Sequence, residues 1–154
     1  MDHYDPNAGY AIATFLIVLY IIVLAATLLF AAAYYVVMSI ALSRLFAKVG
    51  IEPWIGWVPF YSMWKWLELG GQPGWLALLP LVPSAGIVTS VFLYVGMWRT
   101  GIAFRKDAAF LVLGIFLPFV WAFLLARPQE TYDPELIVQA GYSRPLAGFG
   151  SAAA

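Results

Sequence analysis

One short pattern could support nucleophilic chemistry, because Ser62 precedes Lys65 by three positions. On a helix this spacing places both side chains on one face, where the lysine could act as the base for the serine hydroxyl. A hydrolase of this kind also needs an oxyanion hole and, at a membrane, a sizeable catalytic domain outside the lipid. Neither is recognisable here, and no Ser-Asp-Asn or Lys-Thr-Gly motif follows. We therefore predict that the protein is not an enzyme, and a membrane serine hydrolase is a remote alternative.

Metal and cofactor chemistry has even less support in the residue types. His3, the single histidine, lies between Asp2 and Asp5, and three such residues on a flexible terminus form a poor metal site. The chain has no cysteine, which excludes thiolate ligands and disulfides. Eight lysines and arginines balance eight acids, so there is no basic patch for nucleic acid. We predict no metal, no cofactor and no nucleic-acid partner.

Lys65 and Glu68 form a second candidate pair, three residues apart among tryptophans. An ionisable pair at membrane depth would indicate a functional site, because charge is expensive to bury in lipid. At the membrane surface the same pair would be structural, with Lys65 extending towards the headgroups and Glu68 pairing with it. We favour the structural interpretation.

The composition predicts the environment of these residues, because it is that of a membrane protein. Of the 154 residues, 64% are hydrophobic and 10% are charged, and the mean hydropathy is +0.87. A soluble domain of this length could not bury so much apolar surface. We predict an all-α fold, an integral membrane helical bundle with about three transmembrane helices plus a Trp-rich interfacial or re-entrant helix.

Three apolar stretches are the predicted transmembrane helices of a bundle over residues 10–126. They comprise residues 10–49, 75–104 and 108–126. The first exceeds the roughly 20 residues that cross a bilayer, and the N-terminal nine residues lack the basic region of a signal peptide. Pro80 and Pro83 predict a kink or break in the second stretch, and Pro118 predicts a kink in the third. Residues 127–154 are predicted to form an irregular tail.

The segment between the first two stretches is rich in tryptophan, which concentrates at membrane–water interfaces. A helix over residues 59–69 would be about 16 Å long, so we predict an interfacial or re-entrant helix that does not cross the lipid. Arg99, Arg105 and Lys106 form a cationic loop that is expected to bind lipid phosphates, and Asp107 is expected to cap the third stretch. The predicted interfacial or lipid-contact residues are Trp54, Trp57, Trp64, Lys65, Trp66, Glu68, Trp75, Arg99, Arg105 and Lys106.

Small and hydroxyl-bearing residues in the second stretch predict close packing between helices. The helix-packing candidates are Gly86, Thr89, Ser90 and Gly96. The first stretch contains an alanine-rich belt that could serve the same purpose, although alanine is also simply a good helix former. This belt consists of Ala25, Ala26, Ala31, Ala32 and Ala33.

The charge distribution predicts an extracytoplasmic N-terminus, because residues 1–9 lack lysine and arginine whereas cations follow the first stretch. With three crossings, Arg99, Arg105 and Lys106 would also lie outside. Four crossings would place them in the cytoplasm, which agrees better with the charge rule, but the helix lengths favour three. We therefore expect three crossings.

The middle of the chain resembles a known family. The residues that carry the resemblance are Glu52-Pro53-Trp54, Trp57-Val58-Pro59-Phe60-Tyr61-Ser62, Gln72-Pro73-Gly74-Trp75 and Pro80. Over residues 40–126 the chain is similar to an uncharacterised family of small bacterial, largely actinobacterial, multi-pass membrane proteins. Automated annotation often labels them signal peptidase I or large exoprotein. The chain departs from the family at Ser62, where asparagine is usual, and at Gln72, where a basic residue is frequent. The resemblance implies a bacterial inner-membrane fold and no established activity.

We expect a non-enzymatic accessory or assembly subunit that packs within a larger membrane protein complex. Its partners would be membrane lipids and other membrane proteins or copies of itself, and the tail from Arg127 could dock on one of them. No apolar stretch has a line of buried acids, which disfavours a self-contained transporter. The alternative is a homo-oligomeric channel or small-solute permeation protein, with a pore between subunits. Its lining would include Pro80, Pro83, Ser84, Thr89 and Ser90.

Overall fold

The computed structural model of the protein describes residues 6–82 and 84–150, and every regular element within them is helical. The elements are α1 (Pro6–Val49), a first 3₁₀-helix (Pro53–Trp57), α2 (Tyr61–Leu69), a second 3₁₀-helix (Gly74–Leu81), α3 (Gly86–Ala103), α4 (Ala108–Phe116), α5 (Pro118–Leu125) and α6 (Glu135–Gln139). The predicted all-α class is confirmed. Asp2, His3, Asp5 and the expected kink residue Pro83 lie outside the described residues. The chain divides into two compact units, Met1–Val36 and Val37–Ala154.

The length of α1 follows from a sequence without glycine or proline between Tyr10 and Val49. Within the first unit, every residue from Gly9 to Val36 is exposed and none is charged. A helix on the surface of a soluble domain would bury one apolar face, so this uniform exposure is typical of a helix surrounded by lipid or by other apolar helices. Among the described residues, Gly9–Val49 of α1 and α3 are the two helices long and apolar enough to cross a membrane.

The core of the second unit forms around the last three turns of α1. Ala41, Leu45 and Val49 recur every four residues and are fully buried, as is Phe46 beside them. This spacing aligns them on one helix face. They belong to a core cluster that also includes Trp66, Leu69, Met97, Phe104, Trp121 and Leu125. The first part of α1 is therefore suited to contact with lipid. Its last part is an ordinary core helix.

Four of the described helices end in the same hydrogen-bonded motif, which requires a residue in the left-handed conformation. That position is occupied after α1, α2, α3 and α6 by Gly50, Gly71, Arg105 and Gly141, with φ of 84°, 72°, 58° and 86°. The following amide then donates back across the last turn, as Lys106 N does to Gly101 O at 2.9 Å. Glycine adopts this conformation without strain, whereas arginine pays roughly 1–2 kcal/mol for it. The end of α3 therefore has no glycine signal in the sequence.

The second 3₁₀-helix packs back along α3, so residues 74–103 form an antiparallel hairpin. The Thr89 hydroxyl of α3 donates to Leu76 O at 2.7 Å, and Gly86 at the start of α3 lies against Pro80. Of the kink or break expected in this stretch, the structure has a break, because the second 3₁₀-helix ends at Leu81 and α3 begins at Gly86. Pro80 has no amide hydrogen, and the backbone at Val82 is extended, with φ −96° and ψ 127°. These features end the helix instead of bending it.

α4 and α5 also fold back on each other, where the sequence predicts one kinked helix over residues 108–126. At Leu117 the backbone leaves the helical conformation, with φ −133° and ψ 67°, and Pro118 then begins α5. The ring centroids of Phe110 and Trp121 lie 6.2 Å apart. In a straight helix, eleven residues would separate them by about 16 Å. This stretch is therefore a second hairpin, and neither of its short helices could cross a bilayer alone.

The C-terminal segment, residues 127–150, is packed against the rest of the second unit. It contains α6 and buries Ile137 and Ala147. Three of its amides donate to carbonyl oxygens in the last turns of other helices, where such groups lack intrahelical partners. These bonds join Asp133 to Ala103 of α3, Leu146 to Glu68 of α2, and Gly150 to Val49 of α1. The helix ends gathered by this segment, together with the segment itself and residues 104–107, are called the polar end below.

Candidate functional site

The polar end collects the charged side chains of the second unit. Each lies in the C-terminal segment, in a connection between helices, or within two turns of a helix end. Cations are favoured near the C-terminal ends of helices, because the aligned backbone carbonyls carry partial negative charge there. The cations concerned are Arg44, Lys48, Lys65, Arg99, Arg105, Lys106, Arg127 and Arg144.

Glu68 is the centre of a hydrogen-bonded network on α2. Its carboxylate accepts from Lys65 Nζ and from the Trp64 indole N–H, each at 2.7 Å. The Lys65 and Glu68 side chains are 25% and 17% exposed, so water screens the pair incompletely. The expected pairing of these two residues is thus present. Because Lys65 is paired with Glu68, its amino group is not free to act as the base for Ser62.

The predicted cationic loop separates into different environments. Lys106 Nζ lies 2.7 Å from a Glu130 carboxylate oxygen, and an Arg105 guanidinium nitrogen lies 3.8 Å from an Asp133 carboxylate oxygen. Both acids belong to the C-terminal segment. Asp107 caps α4 as predicted, because its carboxylate accepts from the amide of the third residue of that helix at 3.1 Å. Two of the three loop cations therefore have an acidic neighbour, which is close for Lys106 and more distant for the exposed Arg105.

Arg99 is the cation of this loop that has no acidic partner. Among the residues that the structure describes, no carboxylate lies within 4.0 Å of its guanidinium. One terminal nitrogen makes long contacts of 3.4 Å to Gly70 O and 3.5 Å to Ser143 Oγ. The guanidinium carbon lies 5.0 Å from the ring centroid of Tyr142, and Nε is buried without a hydrogen-bond partner. The charge of Arg99 is held in place but is not balanced.

The five tryptophans expected at the interface differ in their exposure, and Trp64 is only partly buried, with its indole bonded to Glu68. Trp54, Trp57 and Trp75 have large exposed fractions, as lipid contact would require. Trp66 is 4% exposed and packs on Trp121, with ring centroids 5.9 Å apart, so it is a core residue and its interfacial assignment is corrected. It shares a buried face of α2 with Leu69, three positions later, and both belong to the core cluster. Trp121 was not among the predicted site residues, and no local sequence signal distinguishes it.

The helix-packing candidates differ in how closely they pack. Gly96 and Thr89 are buried, whereas Ser90 is exposed and its hydroxyl donates to Gly86 O at 3.1 Å within α3. Gly96 faces Gly70, and a Cβ added to Gly70 would overlap the Gly96 backbone. Gly70 was not predicted, although the Gly70-Gly71 pair marks it as a turn position.

Tyr132 forms a hydrogen bond within the C-terminal segment. Its hydroxyl donates to Gly148 O at 2.7 Å, and its ring packs on Phe104 with centroids 5.2 Å apart. Burial raises the pKa of Tyr132 above its ordinary value, because the charged phenolate would be poorly solvated there. The hydroxyl therefore remains a donor throughout the physiological pH range.

A comparison with known protein families assigns the middle of the chain to one of them. Residues 54–134, more than half of the sequence, match a family of unknown function. The chain belongs to the family DUF5684. The expectation of an uncharacterised family is confirmed. The match to DUF5684 includes both hairpins and the acids Glu130 and Asp133, and it leaves out α1 and α6. No curated protein and no solved structure matches the chain.

Replacing Glu68 by alanine is expected to destabilise the second unit by about 2 kcal/mol, because the Lys65 ammonium and the Trp64 indole both lose their acceptor. Replacing Lys65 by alanine should cost less, about 0.5–1 kcal/mol, since Glu68 keeps the indole donor and some water. Denaturant unfolding of the two variants in detergent measures the difference. Equal losses in both, or none in Glu68→Ala, would contradict the network described above.

Proposed function

We propose that the protein is a non-enzymatic accessory or assembly subunit that packs within a larger complex of the bacterial cell membrane. The observation that best supports this is the uniform apolar exposure of α1 from Gly9 to Val36. These residues rise about 42 Å, more than the roughly 30 Å hydrocarbon core of a bilayer. An excess of this kind is accommodated by tilt or by packing against neighbouring helices. The alanine-rich belt on α1 allows such neighbours to approach closely.

The membrane topology we propose has one complete crossing, by α1, with residues 1–9 outside the cytoplasm. The other two membrane segments, residues 74–103 and 108–125, enter from the cytoplasmic side as hairpins and return to it. The apolar turns of the hairpins support this arrangement, because Leu81, Ile87 and Phe116 are 66%, 73% and 78% exposed. Lipid is the solvent in which such side chains are stable. The three expected crossings thus become three membrane segments.

The distribution of cations supports the same topology. All eight lysines and arginines follow the exposed part of α1, and the polar end gathers them on one side of both hairpins. Cytoplasmic segments carry an excess of these residues. The charge rule and the helix lengths therefore agree in this topology, since no second crossing carries Arg99, Arg105 or Lys106 outside.

The contacts of the described residues give less support to the alternatives. A pore lined by Thr89 and Ser90 would need hydroxyls free to bind the solute, whereas both donate to backbone carbonyls at 2.7 and 3.1 Å. A serine hydrolase would need Lys65 as a base, whereas its ammonium is paired with Glu68.

Photo-crosslinking along α1 tests the proposed packing. A photo-reactive residue at Ala25 is expected to give a protein adduct in native membranes, because this position lies in the alanine-rich belt. The matched control is the exposed Val23, which lies about 160° away around the helix and should give mainly lipid adducts. An exclusively lipid pattern at both positions, with the chain isolated as a lone monomer in mild detergent, would refute the proposal.

A further inference from the structure

An apolar groove runs along α3 to Tyr142, whose ring lies beneath the Arg99 guanidinium. It has a volume of about 430 Å³, and its lining is almost entirely apolar. The lining residues are Val91, Tyr94, Val95, Trp98, Leu111 and Tyr142. Its volume is within the range of about 300–1,000 Å³ that small-molecule sites occupy. Leu111 comes from α4 and Tyr142 from the C-terminal segment, so three parts of the fold form the groove.

The polar mouth of this groove is built around Tyr142. The Trp98 indole N–H approaches the Tyr142 hydroxyl at 3.4 Å, and the Arg99 guanidinium stacks over the same ring. Ser143 brings a second hydroxyl to within 3.5 Å of Arg99. From Val91 to Arg99 the helix rises about 12 Å, so the apolar lining extends well below the charge. A ligand that fits this site is apolar over that length and anionic at one end.

We propose that the groove binds an anionic phospholipid, with an acyl chain along α3 and its phosphate at Arg99. Charge complementarity selects this occupant over a second copy of the chain. In the described part of the chain Arg99 has no carboxylate within 4.0 Å, as is also true of Arg44, Lys48 and Arg127. Arg99 is the one of these four whose guanidinium lies over Tyr142, a residue that lines the groove. A headgroup with a net negative charge supplies the missing counter-charge, and a zwitterionic headgroup does not. The proposal depends on the membrane location of the protein but not on its protein partner.

Native mass spectrometry of the full chain in mild detergent tests the site by titration with phosphatidylglycerol and phosphatidylcholine. Phosphatidylglycerol should bind the wild-type chain in preference to phosphatidylcholine. Arg99→Gln should weaken phosphatidylglycerol binding by at least about fivefold, the effect expected for one basic residue near a lipid phosphate. Arg105→Gln is the matched control and should change it little, because Arg105 already has an acidic neighbour.

Two further variants distinguish the contribution of the Arg99 charge to lipid binding from that of its contacts within the protein and from that of the groove. Arg99→Lys, like Arg99→Gln, removes the stacking on Tyr142 and the long contacts of the guanidinium, but it keeps the positive charge. It should therefore retain most of the phosphatidylglycerol binding. Val95→Trp fills the groove at an exposed position and should weaken binding while leaving Arg99 intact. Equal loss in Arg99→Lys and Arg99→Gln, equal binding of the two lipids, or full competition by glycerol phosphate would each overturn the proposal. Full competition would identify a phosphate site that does not use the groove.

Discussion

Replacing Gly70 by alanine is expected to destabilise the second unit by more than about 3 kcal/mol, which is the upper range for overpacked cores. The φ of Gly70 is −82°, which any residue adopts, so the effect does not arise from backbone strain. It arises because the added Cβ would overlap the backbone of Gly96, and neither backbone can move aside as a flexible side chain would. The turn after α2 would have to separate from α3.

The same substitution at the facing glycine, Gly96, provides a control for this prediction. A Cβ added to Gly96 would lie 3.5 Å from Gly70 Cα, an ordinary contact distance, so Gly96→Ala should be nearly neutral. Gly101→Ala, also in α3, meets its nearest neighbour at 3.9 Å and should gain about 0.5–1 kcal/mol from the better helix former. Midpoints of thermal unfolding in detergent rank the three variants. Similar losses in Gly70→Ala and Gly96→Ala would contradict the close approach of the turn to α3.

Local signals in the sequence predicted the features that depend on near neighbours. The uninterrupted apolar run predicted α1, the Asp107 cap predicted the start of α4, and the three-residue spacing predicted the Lys65–Glu68 pair. In each case the residues that decide the feature lie within a few positions of one another. The all-α class followed from composition for the same reason.

The two hairpins could not be predicted in this way. Apolar residues cover all sides of the stretch from Ala108 to Leu125, so its periodicity does not show whether Pro118 bends the helix or reverses it. The reversal is stabilised by a non-local contact. A Cβ added to Gly114 would lie 2.7 Å from Trp121 Cδ1, so the absence of a side chain at Gly114 makes room for the returning indole.

The candidate site was predicted in part. The sequence correctly drew attention to Arg99, Arg105 and Lys106, but it treated them as one cationic loop. Glu130 and Asp133, some 25 residues later, lie beside the last two, whereas Arg99 has no acidic neighbour among the described residues. Because the C-terminal segment has the composition of an irregular tail, nothing local indicates that its acids and amides complete the polar end.

Single-cysteine labelling is expected to place Ala108 and Gln129 on the same side of the membrane. The chain has no cysteine of its own, so each introduced thiol gives an unambiguous signal. With hairpin α4–α5, both exposed positions face the cytoplasm, and a membrane-impermeant maleimide should label them only after the cells are opened. Gly9→Cys, before the crossing by α1, should be labelled in intact cells. The expected differences are close to all or none.

The same measurement distinguishes the proposed hairpin from the single crossing that the sequence predicts for residues 108–126. If residues 108–126 crossed as one helix, Ala108→Cys would be labelled in intact cells and Gln129→Cys would not, since a crossing separates the ends of a helix by the full bilayer thickness. A hairpin requires identical labelling, because its ends meet. The ion pair of Lys106 with Glu130 gives the physical reason to expect the hairpin, as these residues flank the stretch on either side and lie 2.7 Å apart. Opposite labelling would therefore refute both the hairpin and the gathering of all eight cations on the cytoplasmic side.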